Sequence, residues 1–147
     1  MASCKDCVAE GVTTNRPAPH QGPRCVTHHR LVVKARRKAA HARRVTSTYG
    51  IGFHAYTAIL DAQNGRCYIC QRATGATKRL AVDHDHTCCP AGGSCGKCVR
   101  AILCSPCNVG VLGHLRDDID ALRRAIEVIR DHPAQAVLNS LDTKDHQ

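Results

Sequence analysis

Residues 66–70 read RCYIC and residues 103–108 read LCSPCN. Each stretch holds two cysteines separated by two residues, Cys67-x2-Cys70 and Cys104-x2-Cys107. A two-residue gap lets both sulfurs of a pair reach one ion, and four thiolates make a closed, tetrahedral structural zinc site. The 33 residues between the pairs exceed the range of a plain zinc ribbon, so they must form a structure of their own. The alternative is a set of free or redox-active thiols.

The rest of the composition favours metal. The chain has 147 residues with three Tyr, one Phe and no Trp, so a large aromatic core is excluded. Small domains with thin cores need staples, either disulfides or metal. Eleven cysteines could supply both, but the odd count leaves one unpaired. The N-terminus, MASCKDCVAEG, is too polar for a secretory signal, and no apolar run approaches the roughly 18 residues needed to span a membrane. A reducing cytoplasm with zinc-bound thiolates, and no membrane partner, is the expectation.

The remaining cysteines sort into two more sets. Cys4-x2-Cys7 and Cys25-x2-His28 suit a second zinc, with His29 as a rival ligand to His28. Cys88, Cys89, Cys95 and Cys98 are left. Adjacent ligands at 88 and 89 are awkward, yet eleven cysteines and one histidine divide into three sets of four. A third zinc would pin the 88–98 loop; the alternative is a flexible thiol-rich loop.

Charge is unevenly placed. The net charge is +9, and residues 1–46 carry ten Lys/Arg against only Asp6 and Glu10. A basic arm on a nearly neutral body points to a polyanionic partner, with a solvated basic helix as the plain alternative. Residues 31–46, LVVKARRKAAHARRVT, lack Gly and Pro and are predicted to be a helix. Its Lys34, Arg36, Arg37, Lys38, Arg43 and Arg44 could lie along phosphates. A second helix is predicted at HAYTAILDAQ, then strands at RLAVDH and KCVRAILC. Val109, Leu112, Leu115, Ile119, Leu122, Ile126 and Ile129 recur at helical spacing, predicting one amphipathic helix of about six turns closed by Pro133. That stripe reads as core or dimer contact, and a homodimer is the expected assembly.

Between the halves of the central Cys4 set lies AVDHDH, residues 81–86. Four adjacent titratable groups after an apolar lead-in form either a solvated turn or a site for something charged. Asn108 follows the last ligand, Cys107, at the start of the long helix. One zinc holding a hairpin and a helix N-terminus could therefore bring Asp83, His84, His86 and Asn108 close. Hard oxygen donors such as Asp83 and Asn108 suit Mg²⁺ or Mn²⁺, and an imidazole beside such an ion could take a proton from water. Strict strand alternation would send Asp83 and His84 to opposite faces, so the strand is expected to end or bulge there.

DAQNGRCYIC, LAVDHDH, VRAILCSPCN and the Gly that follows resemble the recombination endonuclease VII family, within the phage His-Asn-His (HNH, ββα-metal) nucleases. The resemblance covers about residues 49–115. It implies a small α+β protein with a zinc-clamped, treble-clef-like ββα-metal core that cuts DNA with one Mg²⁺ or Mn²⁺. By the motif, Asp83 and Asn108 match the metal ligands, His84 the general base and His86 a second active-site histidine. Cys67, Cys70, Cys104 and Cys107 match the structural zinc ligands. The acidic residue that the junction-resolving member carries three places after its metal-binding Asn is Val111 here. The 88–98 insert and the N-terminal Cys3His set also lie outside the compact pattern.

The organisation expected is a Cys3His module at 1–30, a basic helical connector at 31–48, a nuclease core at 49–115, a continuing helix at 116–133 and a tail at 134–147. The expected function is metal-dependent hydrolysis of DNA phosphodiesters in a phage-infected bacterial cytoplasm. The substrate would be branched or nicked DNA, in recombination or packaging, and Arg100 is a further candidate backbone contact. The rival is a non-catalytic zinc module that binds DNA or protein.

Overall fold

The computed structural model describes residues 3–12, 16–89 and 91–142. It is a small α+β protein whose contacts divide it into two units, Met1–Ile59 with His84–Arg100 and Leu60–Asp83 with Ala101–Gln147. Two strands, β1 (Ala81–His84) and β2 (Val99–Leu103), pair in a two-stranded sheet. No helix among the described residues is long and apolar enough to cross a membrane.

In the first unit, Cys4 precedes the short helix α1 (Lys5–Ala9). An ion pair from Arg24 Nε to Asp6 (2.7 Å) and a bond from the Lys5 N–H to the Pro23 carbonyl (3.0 Å) tie α1 to the turn at 20–24. Helix α2 (Val26–Tyr49) is longer than the predicted 31–46. Cys25 is its N-cap, so the second half of the N-terminal ligand set lies on the helix's own first turn. Its Ala- and Arg-rich run has high helix propensity throughout. Gly50, at φ +65°, ends it with a left-handed cap. A methyl group on Gly50 would sit 2.9 Å from the Ser94 carbonyl oxygen, and one on Gly96 would sit 2.8 Å from that of Gly50. The 88–98 loop is therefore seated backbone-to-backbone on the end of α2. A bond from the Ser94 N–H to the Thr48 carbonyl (2.9 Å) fastens it.

Helix α3 (Phe53–Ala62) follows. Phe53 stacks on the buried Tyr56, and the His41 ring from α2 meets both edge-on at 5.7 and 5.0 Å. With aromatics so scarce, a histidine fills the place of a third ring.

The second unit has a small apolar core of Leu80, Val82, Ile102 and Leu103 around the fully buried Cys67. Its polar centre is Gln63, which is 8 % exposed. The Gln63 amide donates to the Ile102 carbonyl (2.8 Å) and the Arg66 carbonyl (2.9 Å), while its Oε1 accepts from the Ile102 N–H (2.9 Å). One side chain thus imitates a neighbouring strand, satisfying both backbone groups of Ile102.

The predicted six-turn helix does not form as one element. Residues Pro106–Gly113 make a wide π-helix, with i+5 bonds from the His114 N–H to Val109 (3.0 Å) and from the Asp117 N–H to Leu112 (3.0 Å). Arg116 (φ 53°) and Asp117 (φ 57°) are left-handed and end it. Helix α4 (Ile119–Asp131) then starts at Asp118, whose carboxylate accepts from the Asp120 and Ala121 N–H groups (2.8 and 3.1 Å). The apolar periodicity ran through this break; the Asp-Asp-Ile-Asp capping signal within it outweighed the stripe. Pro133 does not stop the chain either, but begins α5 (Pro133–Asp142) after a left-handed His132. Residues 143–147 of the expected tail lie outside the described residues. None of α4's residues is buried, and Ile119, Ile126 and Ile129 are exposed.

Gln63→Leu should lower stability by about 1–3 kcal/mol, because the Ile102 N–H loses its partner inside the core while its carbonyl keeps only the Tyr68 N–H at 3.2 Å; chemical unfolding in zinc-containing buffer measures it. The carboxyl of Asp118 is held below the usual range by the Ala121 and Asp120 N–H groups. A depressed carboxylate stabilises above its unfolded pKa, and that contribution fades as pH falls through the folded value. Far-UV circular dichroism should therefore show helix lost on acidification in the parent, and an already reduced, pH-insensitive signal from α4 in Asp118→Ala.

Candidate functional site

All eleven cysteines are free thiols, yet none stands alone. Cys4, Cys7, Cys25 and His28 form one group, Cys67, Cys70, Cys104 and Cys107 a second, and Cys88, Cys89, Cys95 and Cys98 a third. In each, the ligand atoms lie within 4.8 Å of one another. A zinc tetrahedron with ~2.3 Å bonds to sulfur has edges of about 3.8 Å. The sulfur separations match: Cys70–Cys104 3.8 Å, Cys7–Cys25 3.9 Å, Cys88–Cys95 3.9 Å and Cys89–Cys98 3.9 Å. These spacings suit a shared ion and are nearly twice a disulfide length. The adjacency of Cys88 and Cys89 proves no obstacle, since the loop turns between them and the two sulfurs stand 3.9 Å apart.

The chemistry of the donors agrees with the geometry. Burial first, then the crowding of Cys104, Cys67 and Cys70, pushes the Cys107 thiol up to about 12. Cys95 and Cys89 push Cys88 up to about 12. Four thiols so close cannot all ionise unless a cation offsets their repulsion, and a divalent ion does that.

At the N-terminal group the structure selects His28 over His29. The Nδ1 of His28 lies 3.3–3.4 Å from the sulfurs of Cys4, Cys7 and Cys25. Its Nε2 meets Glu10 Oε2 at 3.0 Å. A carboxylate on the far nitrogen fixes the tautomer that turns Nδ1 toward the metal. The Cys4 sulfur is the main cause that raises His28 to about 9, with Glu10 adding to it. His29 stacks instead on His20 at 4.1 Å.

The AVDHDH segment lies at the end of β1. Val82, Asp83 and His84 are all buried, and β1 ends with His84. Asp83 is 4 % exposed and belongs to the second unit. In that same unit Asn108 is half-buried, one residue after Cys107 on the first turn of the π-helix, and its N–H donates to the Cys104 carbonyl (2.9 Å). The position of Asn108 is thus set by the Cys67–Cys107 thiolate group.

His84 belongs to the first unit. Its ring lies 5.7 Å from Tyr49, edge to face, and 4.5 Å from His86, which is exposed. The Nε2 of His84 is buried and has no hydrogen-bond partner among the described residues. Leaving such an atom unpaired costs about 1–3 kcal/mol, a cost that proteins tolerate at functional positions more than elsewhere. Asp85 is occupied locally: the Thr87 hydroxyl (2.7 Å) and N–H (2.8 Å) both donate to it, and these bonds, with Arg100 a smaller influence, hold its carboxyl below the usual range. On α2, Lys34, Arg36, Arg37, Lys38, Arg43 and Arg44 are all exposed, as is Arg100 on β2.

The family model for recombination endonuclease VII matches residues 42–131, more than half of the chain. The chain belongs to the recombination endonuclease VII family. That membership makes DNA the substrate class to consider. Similar proteins include the Gene 59 protein of Mycobacterium phage D29, 48 % identical over 135 residues, and the Gene 59 protein of Mycobacterium phage L5, 47 % identical over 135 residues. Each alignment covers 92 % of this chain and 77 % of the relative. No solved structure matches.

Sequence reasoning missed Glu10, Tyr49 and Gln63. Only Glu10 left a signal, as one of two carboxylates in the basic arm. Glu10→Gln should weaken zinc retention at the N-terminal group by about tenfold or more, read as competition against a chromophoric chelator, while the two all-cysteine groups keep their metal.

Proposed function

We propose that the protein is a metal-dependent DNA endonuclease of the HNH, ββα-metal type. The observation that carries this reading is the pair at the end of β1: a buried carboxylate, Asp83, followed by a histidine whose buried Nε2 has no hydrogen-bond partner among the described residues. The two residues are consecutive in the chain, with Cα atoms about 3.8 Å apart. Family membership supports the reaction class.

Asp83 and Asn108 offer hard oxygen donors, which fit Mg²⁺ or Mn²⁺ rather than zinc. When bound there, such an ion supplies charge stabilisation to phosphoryl oxygens. His84 takes the proton from the attacking water at Nε2, the nitrogen without a hydrogen-bond partner among the described residues. Tyr49 fixes the tilt of the His84 ring from one side, and His86, exposed beside it, orients the phosphate. The Cys67, Cys70, Cys104 and Cys107 group holds zinc and keeps Asn108 in place. Lys34, Arg36, Arg37, Lys38, Arg43, Arg44 and Arg100 contact the phosphate backbone, giving affinity with weak sequence preference that falls steeply with salt. The exposed isoleucines of α4 fit a homodimer. The setting is phage recombination or packaging in the host cytoplasm, on branched or nicked DNA.

Supercoiled plasmid should be nicked in Mg²⁺ or Mn²⁺ and left intact in EDTA. His84→Ala should abolish nicking while zinc content, thermal unfolding and DNA binding stay near the parent's. If His84→Ala cuts as fast as the parent, the assignment fails. If the parent binds DNA but never nicks it, the protein is a non-catalytic zinc module.

A further inference from the structure

The third thiolate group lies outside the compact sequence pattern that suggested the fold, and its surroundings give it a task. We propose that Cys88, Cys89, Cys95 and Cys98 bind a zinc ion that positions His84, holding the imidazole through its chain neighbour Asp85 and through Tyr49, whose ring it meets; the catalytic part of this inference rests on the nuclease reading above.

Two routes connect the cluster to His84, both within one unit. The first is the strand. The Asp85 N–H donates to the carbonyl of Cys98, itself a cluster member, at 2.9 Å. That bond extends the pairing one step past the ends of β1 and β2 and fixes the residue directly after His84. The second is the end of α2. The Ser94 N–H donates to the Thr48 carbonyl (2.9 Å), and Gly93 and Gly96 approach Thr48 and Gly50 so closely that a Cβ at either would fall within 2.9 Å of a backbone oxygen. Between Thr48 and Gly50 stands Tyr49, whose ring meets that of His84. The loop therefore grips the residues on either side of the tyrosine that steadies the histidine.

The loop cannot hold this shape by packing. Cys88 and Cys95 are exposed, and Gly92, Gly93 and Gly96 all have positive φ. Glycine-rich backbone of this kind is costly to order. Four sulfurs at tetrahedral spacing supply what the apolar contacts do not, because metal binding is coupled to local folding. Ser94 adds an outer contact, its hydroxyl 3.1 Å from the Cys98 sulfur and accepting from the Gly96 N–H at 3.0 Å. This group is also more exposed than the other two, so its ion exchanges first.

The double variant Cys88→Ser/Cys95→Ser, purified with zinc, should hold two zinc ions per chain where the parent holds three. The His84 imidazole resonance, assigned by its loss in His84→Gln, should shift and broaden. Plasmid nicking should fall by about tenfold or more, with salt-dependent DNA binding unchanged. Unaltered zinc content, or loss of one zinc with an unmoved His84 resonance and parental nicking, would overturn the proposal. Should the double variant fail to fold, the parent is titrated with a zinc-selective pyridylamine chelator in excess Mg²⁺. The first ion released should take the His84 signal and the nicking with it, and persistence of both past the first equivalent rejects the idea. Zinc count and the His84 resonance are read without DNA. A parent that never nicks therefore refutes the nuclease reading and leaves the positioning test standing.

Discussion

The crowding of cysteine sulfurs into three groups, each spaced to hold a cation that would offset their repulsion, is the constraint on which this structure depends. The apolar core of the second unit amounts to four aliphatic side chains around Cys67, and the buried set of the N-terminal module is Cys4, Cys7 and Cys25 with Ala18 packed beside them. Cores this thin rarely hold a chain together alone. Each thiolate group ties together segments distant in sequence: residues 4–7 to 25–28, 67–70 to 104–107, and the two ends of the 88–98 loop. Metal affinity and fold stability are then one quantity viewed twice.

The clusters also decide where polar side chains point. Asn108 follows directly from Cys107, and Asp85 pairs with Cys98. Residues set beside such groups inherit their rigidity, so Asn108 and Asp85 need no large core behind them. The same economy appears in Gln63, which replaces a missing strand with one amide, and in His41, which replaces a missing aromatic ring.

What was legible in the sequence was spacing. Cys-x2-Cys pairs announce themselves because the chemistry of a shared ion fixes their separation, and grouping the leftover cysteines by arithmetic gave the third cluster despite the awkward Cys88-Cys89 step. Helix α2 was legible from propensity, although its start was placed late because Cys25 was read as a ligand and not also as a cap. The break in the C-terminal helix was not read, since hydrophobic periodicity is blind to a capping carboxylate that restarts the phase. The choice of His28 over His29 depended on Glu10, a partner 18 residues away, which no local pattern reveals. Tyr49 was hidden for the same reason: its role comes from the loop that seats the end of α2.

Helix α2 is fixed at both ends, by Cys25 and His28 at one and by the backbone seat of Gly50 at the other. Its 24 residues extend about 36 Å, close to one full turn of B-DNA at about 34–36 Å. The cationic side chains thus ride on a stiff ruler and not on a loose tail. Rigid ends hold the exposed cations from Lys34 to Arg44 at a set spacing, so any polyanion that meets them finds charges already in place, and little disorder has to be surrendered on contact.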